Sequence, residues 1–137
     1  MRLQKNTLLA LYSALEFAAQ PQRQLSVAGI AASLRVSPHH LAKVLRTLGR
    51  AGLVDSVRGA RGGYRFAGNA RRVTLMDVIA LFEDIGAPPL RARRSRRGAE
   101  QALDEVLAEI DDTARATFGS VTLDTMLKLI GRRGERG

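Results

Sequence analysis

Residues 36–67 read VSPHHLAKVLRTLGRAGLVDSVRGARGGYRFA, and the signals in this stretch decide the fold. Ser37 followed by Pro38 is a helix start, because serine can accept a hydrogen bond from a free backbone N–H and proline at the first helical position has no N–H to leave unsatisfied. From there to about Gly49–Arg50, Leu41, Val44, Leu45 and Leu48 recur on one helical face. His39, Lys43, Arg46 and Arg50 follow at i, i+4, i+7 and i+11 on the other, flanked by His40 and Thr47. One helix thus has a face to bury and a basic face to present. Val54, Tyr64 and Phe66 then favour strands, and the glycines from Gly59 to Gly63 supply a tight reversal, so residues 53–67 are predicted to form a β-hairpin.

Upstream, Leu8, Leu11, Tyr12, Leu15, Ala18 and Ala19 form an apolar stripe over Asn6–Ala19, a predicted first helix that Gln20-Pro21 ends. Ser26 is a candidate N-cap for a second helix over roughly 27–35, with Ile30, Ala31 and Leu34 inward. The short turn Leu34-Arg35-Val36 leads into the third helix. Two short helices joined by such a turn, the second amphipathic and basic outside, are a helix-turn-helix, whose second helix enters the DNA major groove. His39, His40 and Lys43, near that helix's N-terminus, are candidates for base edges, and Arg46 and Arg50 for phosphates; Ser37 and Thr47 complete the DNA-binding set on this helix. Arg58, Arg61 and Arg65, set around glycines in the hairpin, suit the minor groove or its phosphates. The plainer reading of each is a solvated polar surface.

Downstream, Thr74 with Asp77 resembles a capping box for a fourth helix carrying Leu75, Val78, Ile79 and Phe82. Residues 86–98 hold Pro88-Pro89 and the arginines Arg91, Arg93, Arg94, Arg96 and Arg97, and are expected to form a loop or a disordered segment. A long acidic helix is predicted over about 99–117, where Leu103, Leu107, Ile110 and Ala114 make a seam suited to pairing with a second copy. Thr122 can cap a last helix with Leu123, Met126, Leu127 and Ile130 on one face, before the tail GRRGERG frays. The expected fold is mainly α with a small β-hairpin: a winged helix-turn-helix (1–84), an Arg-rich loop (85–98), and a dimerisation helix with a C-terminal helix (99–137).

Composition narrows the function. Apolar residues make up 45% of the 137, but aromatics only 4%, which favours a helical core of leucine, valine, isoleucine and alanine. The net charge is +9, and it is unevenly placed: residues 1–72 hold 12 Lys/Arg against 2 acids, a balance of +10, whereas 73–137 hold 10 against 11, a balance of −1. One half is built to meet a polyanion. With Cys 0, disulfides, thiol nucleophiles, Cys-ligated zinc and Cys-ligated iron–sulfur clusters are excluded. An enzyme is not expected: there is no HExxH and no P-loop, and the histidines are neighbours on a DNA-facing helix. No metal site and no cofactor are expected. No apolar run is long enough to cross a bilayer, and the expected location is the cytoplasm without a membrane partner.

The stretch 36–67, with the opening Met1-Arg2-Leu3 and the later VTLMDVIALFE (73–83), resembles the winged-helix transcriptional regulators of the IscR, NsrR, RirA and CymR type. The most specific part is the run from Ala51 through Val54, Ser56, Val57, Arg58 and Gly59 to Tyr64. The resemblance implies a homodimer on a pseudo-palindromic operator, with a long C-terminal helix crossing between subunits. Many relatives hold an iron–sulfur cluster with three cysteines in the loop matching about 85–105, and some add an acidic ligand from the first helix. This chain has no such cysteine, and Asn6, Thr7, Leu8 and Leu9 offer no acid. It is therefore similar to the cluster-free branch, in which a small molecule, a partner protein or another signal controls DNA binding. The expected function is that of a sequence-specific, DNA-binding transcriptional regulator, a repressor. The alternative is a winged helix reused as a protein-interaction or non-specific architectural module, against which the basic stripe on the third helix argues.

Overall fold

Four helices begin where a hydroxyl accepts a free backbone N–H. In the computed structural model, which describes residues 2–58, 62–85 and 98–136, these are α2 (Val27–Leu34), α3 (Pro38–Arg50), α4 (Leu75–Ile79) and α6 (Leu123–Arg136). Ser26 Oγ accepts from Gly29 N at 3.0 Å, Ser37 Oγ from His40 N at 3.0 Å, and Thr122 Oγ1 from Thr125 N at 3.1 Å. At α4 the capping box is complete: Thr74 Oγ1 accepts from Asp77 N at 3.1 Å, and Asp77 Oδ2 accepts from Thr74 N at 2.9 Å. The first helix, α1 (Lys5–Ala19), has no side-chain cap; the N–H of Gln4 before it bonds Glu83 Oε2 at 2.9 Å, tying the start of α1 to the segment that follows α4.

The hairpin pairs β1 (Val54–Ser56) with β2 (Tyr64–Phe66) antiparallel, in the register Val54↔Phe66, Asp55↔Arg65 and Ser56↔Tyr64. Alternation turns Val54, Tyr64 and Phe66 toward the helices and leaves Asp55 and Arg65 exposed. The core joins α1, α3, α4 and α6 through Phe17, Leu41, Leu45, Leu48, Ile79 and Leu123, all fully buried. Each such side chain contributes about 1.5–3 kcal/mol of hydrophobic stabilisation. The sixth helix belongs to this core because its start is stitched to the start of α4. Thr74 and Thr122 form an antiparallel bridge, flanked by Leu75 N→Val121 O and Leu123 N→Val73 O, both 2.9 Å. In contrast α5 (Gly98–Ser120) buries none of its residues and touches α4.

Three expectations need correction. The fourth helix ends at Ile79, so Phe82 lies beyond it, in the segment that follows. The buried face of α1 is Thr7, Ala10, Ser13, Ala14 and Phe17 with Leu9, Leu11 and Ala18, whereas Tyr12 is 49% exposed and Ala19 is exposed. A helix packed against α2, α3, α4, α6 and β2 at once buries a wide arc, and its small residues let those neighbours approach, which a stripe traced through large side chains misses. The tail also does not fray at Gly131: α6 continues to Arg136. Lys128 pairs with Asp124 at 3.2 Å within it, and Arg132 and Arg133 near its carbonyl end are favoured by the helix dipole. The expectation for Arg91–Arg97 lies outside the described residues. No described helix is long and apolar enough to cross a membrane.

Candidate nucleic-acid interface

The sequence separates the two faces of α3, and the structure places them as that separation requires. Leu41, Val44, Leu45 and Leu48 are buried, while His39, Lys43, Arg46 and Arg50 are exposed along the opposite side. The remaining members of the candidate set are less free. Ser37 is exposed, but its Oγ is engaged as the cap acceptor, leaving its O–H as a donor. Thr47 is half-buried and donates back to Lys43 O at 3.3 Å. His40 is half-buried, and its Nε2 lies 2.7 Å from Asn6 Oδ1 on α1.

The hairpin stands beside the C-terminal half of α3. A cleft of about 310 Å³ between them is lined by Arg46, Gly49, Arg50, Val54, Asp55, Ser56 and Tyr64, so the helix arginines and the hairpin share one continuous surface. Arg58 and Arg65 are exposed on the hairpin; Arg61 lies outside the described residues. The loop-side end of β2 is clamped by a contact between distant segments. Leu25, just before α2, bonds Tyr64 in both directions, N→O at 2.9 Å and O←N at 3.0 Å. Gln24 Nε2 adds a bond to Gly62 O at 2.8 Å. Only glycine fits next to this bridge: Gly63 has φ 137, and a Cβ there would lie 2.5 Å from Leu25 O. The signal available in the sequence was the pair Gly62-Gly63 itself.

The candidate seam on α5 is exposed as a row. Leu103 is 58% exposed, Leu107 50% and Ile110 55%, with Ala114 half-buried one turn further on. Val106, at 52%, belongs to the same row, and it lines a groove of about 450 Å³ with Glu109, Ile110, Thr113 and Ala114. The sequence reading passed over it although it stands i+3 from Leu103 and i−4 from Ile110.

These elements define a winged helix-turn-helix of the kind that DNA-binding regulators use. The chain belongs to the Rrf2 family: residues 3–129 match the family described as "Iron-dependent Transcriptional regulator". It is 51% identical over 140 residues to BadM of Rhodopseudomonas palustris, assigned to the HTH-type transcriptional regulators, covering 100% of this chain and 90% of that protein. CymR of Bacillus subtilis, an HTH-type transcriptional regulator, is 31% identical across 74% of this chain and 70% of its own. The solved structure of CymR, described as the global cysteine regulator of B. subtilis, superposes with a TM-score of 0.78 at 27% identity, over 94% of this chain and 98% of that one. The protein is thus a transcriptional regulator and not an enzyme.

The family description names iron, so the donor set is the test. The chain has no cysteine, and among the described residues no three His, Cys, Asp or Glu side chains gather as a metal site. His39 and His40 are adjacent on a helix and point different ways, and His40 is engaged with Asn6. These residues do not fit a thiolate-ligated iron–sulfur cluster.

Proposed function

We propose that this protein is a homodimeric, sequence-specific repressor that sets two copies of α3 into successive major-groove segments of a pseudo-palindromic operator, with its hairpins against the flanking minor grooves. The observation that carries this reading is the division of α3 into a fully buried apolar face and an exposed basic face, whose Arg46 and Arg50 share a cleft with the hairpin. His39, His40 and Lys43 read base edges, Arg46 and Arg50 hold phosphates, and Ser37 and Thr47 flank them. Arg58, Arg61 and Arg65 supply the second contact. Two copies pair through α5, since a contiguous apolar row of Leu103, Val106, Leu107, Ile110 and Ala114 on one side of a helix marks an interface, unlike scattered exposed leucines. Residues 1–84 carry the DNA-binding surface, 85–98 the connection, and 99–137 the dimerisation helix followed by the C-terminal helix, which packs back on the core of the first part.

The absence of cysteine supports a sensing mechanism without a Cys-ligated cluster, with a small molecule or a partner protein as effector. An operator as target sets the protein at work in the bacterial cytoplasm. The experiment is selection of bound duplexes from a random pool, followed by fluorescence anisotropy of the winner and of a scrambled duplex across salt concentrations. A two-fold symmetric site bound at least about a thousandfold better than the scrambled duplex is expected. Equal binding of all duplexes with a steep salt slope would replace this reading with an architectural or docking role.

A further inference from the structure

Two consecutive helices of the DNA-binding motif end in the same backbone motif, and only one ends in the residue that motif prefers. After α3, Gly52 turns left-handed at φ 81, its N–H bonding Gly49 O and the next N–H, of Leu53, bonding Leu48 O, both at 3.0 Å. After α2, Arg35 does the same at φ 58 and ψ 45: its N–H bonds Ala32 O at 3.3 Å and the N–H of Val36 bonds Ala31 O at 3.0 Å. This paired 5→2 and 6→1 closure needs a left-handed residue, which is ordinarily glycine because a Cβ there crowds the following carbonyl oxygen. Arg35 is the single non-glycine residue with positive φ among the described residues.

No side-chain contact among the described residues accounts for the arginine. It is exposed, and among the described residues its guanidinium has no hydrogen-bond or ion-pair partner. Its place does account for it. Arg35 lies in the turn of the helix-turn-helix, two residues before Ser37, the N-cap of α3. The N-terminal residues of a recognition helix meet base edges, so the turn just before them lies beside the sugar–phosphate wall of the groove. A guanidinium is always charged and offers a planar fork of donors that matches two phosphate oxygens.

We propose that Arg35 binds a backbone phosphate of duplex DNA beside the N-terminus of α3, and that the left-handed strain of the turn is tolerated for this contact. The inference rests on the reading of α3 as the groove-binding helix. The competing account is that a cation at the carbonyl end of α2 simply complements the helix dipole, which needs charge but no DNA.

The test compares the full-length wild type with Arg35→Gly and Arg35→Lys, by anisotropy across salt concentrations on the selected duplex and a scrambled duplex, together with thermal unfolding. Arg35→Gly is expected to unfold at the same or a higher temperature and yet to bind both duplexes roughly threefold to tenfold more weakly, with the slope of log K against log salt reduced by about 0.9. Arg35→Lys, which keeps the charge and loses the fork, is expected to retain the salt slope with a smaller loss. Wild-type affinity and slope in Arg35→Gly would overturn the proposal and leave the dipole account. A fall in unfolding temperature together with affinity would overturn it too, since the binding loss would then follow from damage to the turn. If the wild type bound neither duplex, the groove-binding reading itself would fail; if it bound and Arg35→Gly matched it, only the assignment of Arg35 would.

Discussion

His40 Nε2 stands 2.7 Å from Asn6 Oδ1, which joins the first turn of α3 to the first turn of α1. With the amide oxygen as acceptor, Nε2 carries the proton, and Nδ1 of the neutral ring is left as an acceptor. The imidazole is thus oriented by α1 before any DNA arrives, and the nearby Gln4 N–H extends the tie to Glu83 in the segment that follows α4.

Asn6→Ala releases that ring. Selection with this variant is expected to show relaxed base preference at the positions read by the N-terminal turn of α3, and the preferred duplex should lose about 0.5–1.5 kcal/mol. A scrambled duplex should bind unchanged. An unaltered selected sequence would mean that the orientation of His40 has no part in readout.

Lys43 and Arg50 lie on the same exposed face and are expected to fail differently. Lys43→Ala should cost about 1–3 kcal/mol on the selected duplex and broaden its sequence preference. Arg50→Ala should weaken selected and scrambled duplexes alike and reduce the salt slope by about 0.9. Equal losses on both duplexes for Lys43→Ala would remove it from the base-reading set.

Leu107→Asp combined with Ile110→Asp puts two carboxylates into the exposed row of α5. Sedimentation should then give the 14.9 kDa monomer, and affinity for the selected duplex should collapse, because half-sites roughly 34–36 Å apart need two tethered helices. Neither residue is buried within the chain, so the fold should survive. A monomer with full affinity would rule out the paired-helix arrangement.

Thr7 and Ser13 are fully buried on α1, and neither hydroxyl has a hydrogen-bond partner among the described residues. An unsatisfied buried hydroxyl is a cost that an isosteric methyl removes. Thr7→Val is expected to stabilise the protein by about 1 kcal/mol, seen as a higher urea midpoint at unchanged m. A lower midpoint would show that the hydroxyl is in use.

What could be read from the sequence is what neighbouring residues decide between themselves. Ser37-Pro38, the Thr74–Asp77 box and the two faces of α3 depend on bonds and spacings within a few residues, and each stands as the sequence implies. The pairs Leu25–Tyr64, Asn6–His40 and Thr74–Thr122 were not legible, because each joins distant segments that only the packed core brings together. Tyr12 misled for a related reason: large apolar side chains mark a stripe clearly, whereas Ala10, Ser13 and Ala14 lie at the centre of the true contact. Val106 was missed because the seam was followed as a single line of one residue per turn, 103, 107, 110 and 114, whereas an apolar face two residues wide also takes in the i+3 neighbour of Leu103.

The bridge between Thr74 and Thr122 makes the far end of the chain a structural keystone rather than an appendage. The backbone runs through α5, 23 residues or about 34 Å of helix with no buried residue, rejoins the core near Phe118, and then seats Leu123 where no water reaches it. Removing everything after Ser120 would therefore not yield a trimmed DNA-binding head. It would open a hole against α1, where α6 packs and Leu123 is buried, and so remove part of the core on which the placement of α3 depends.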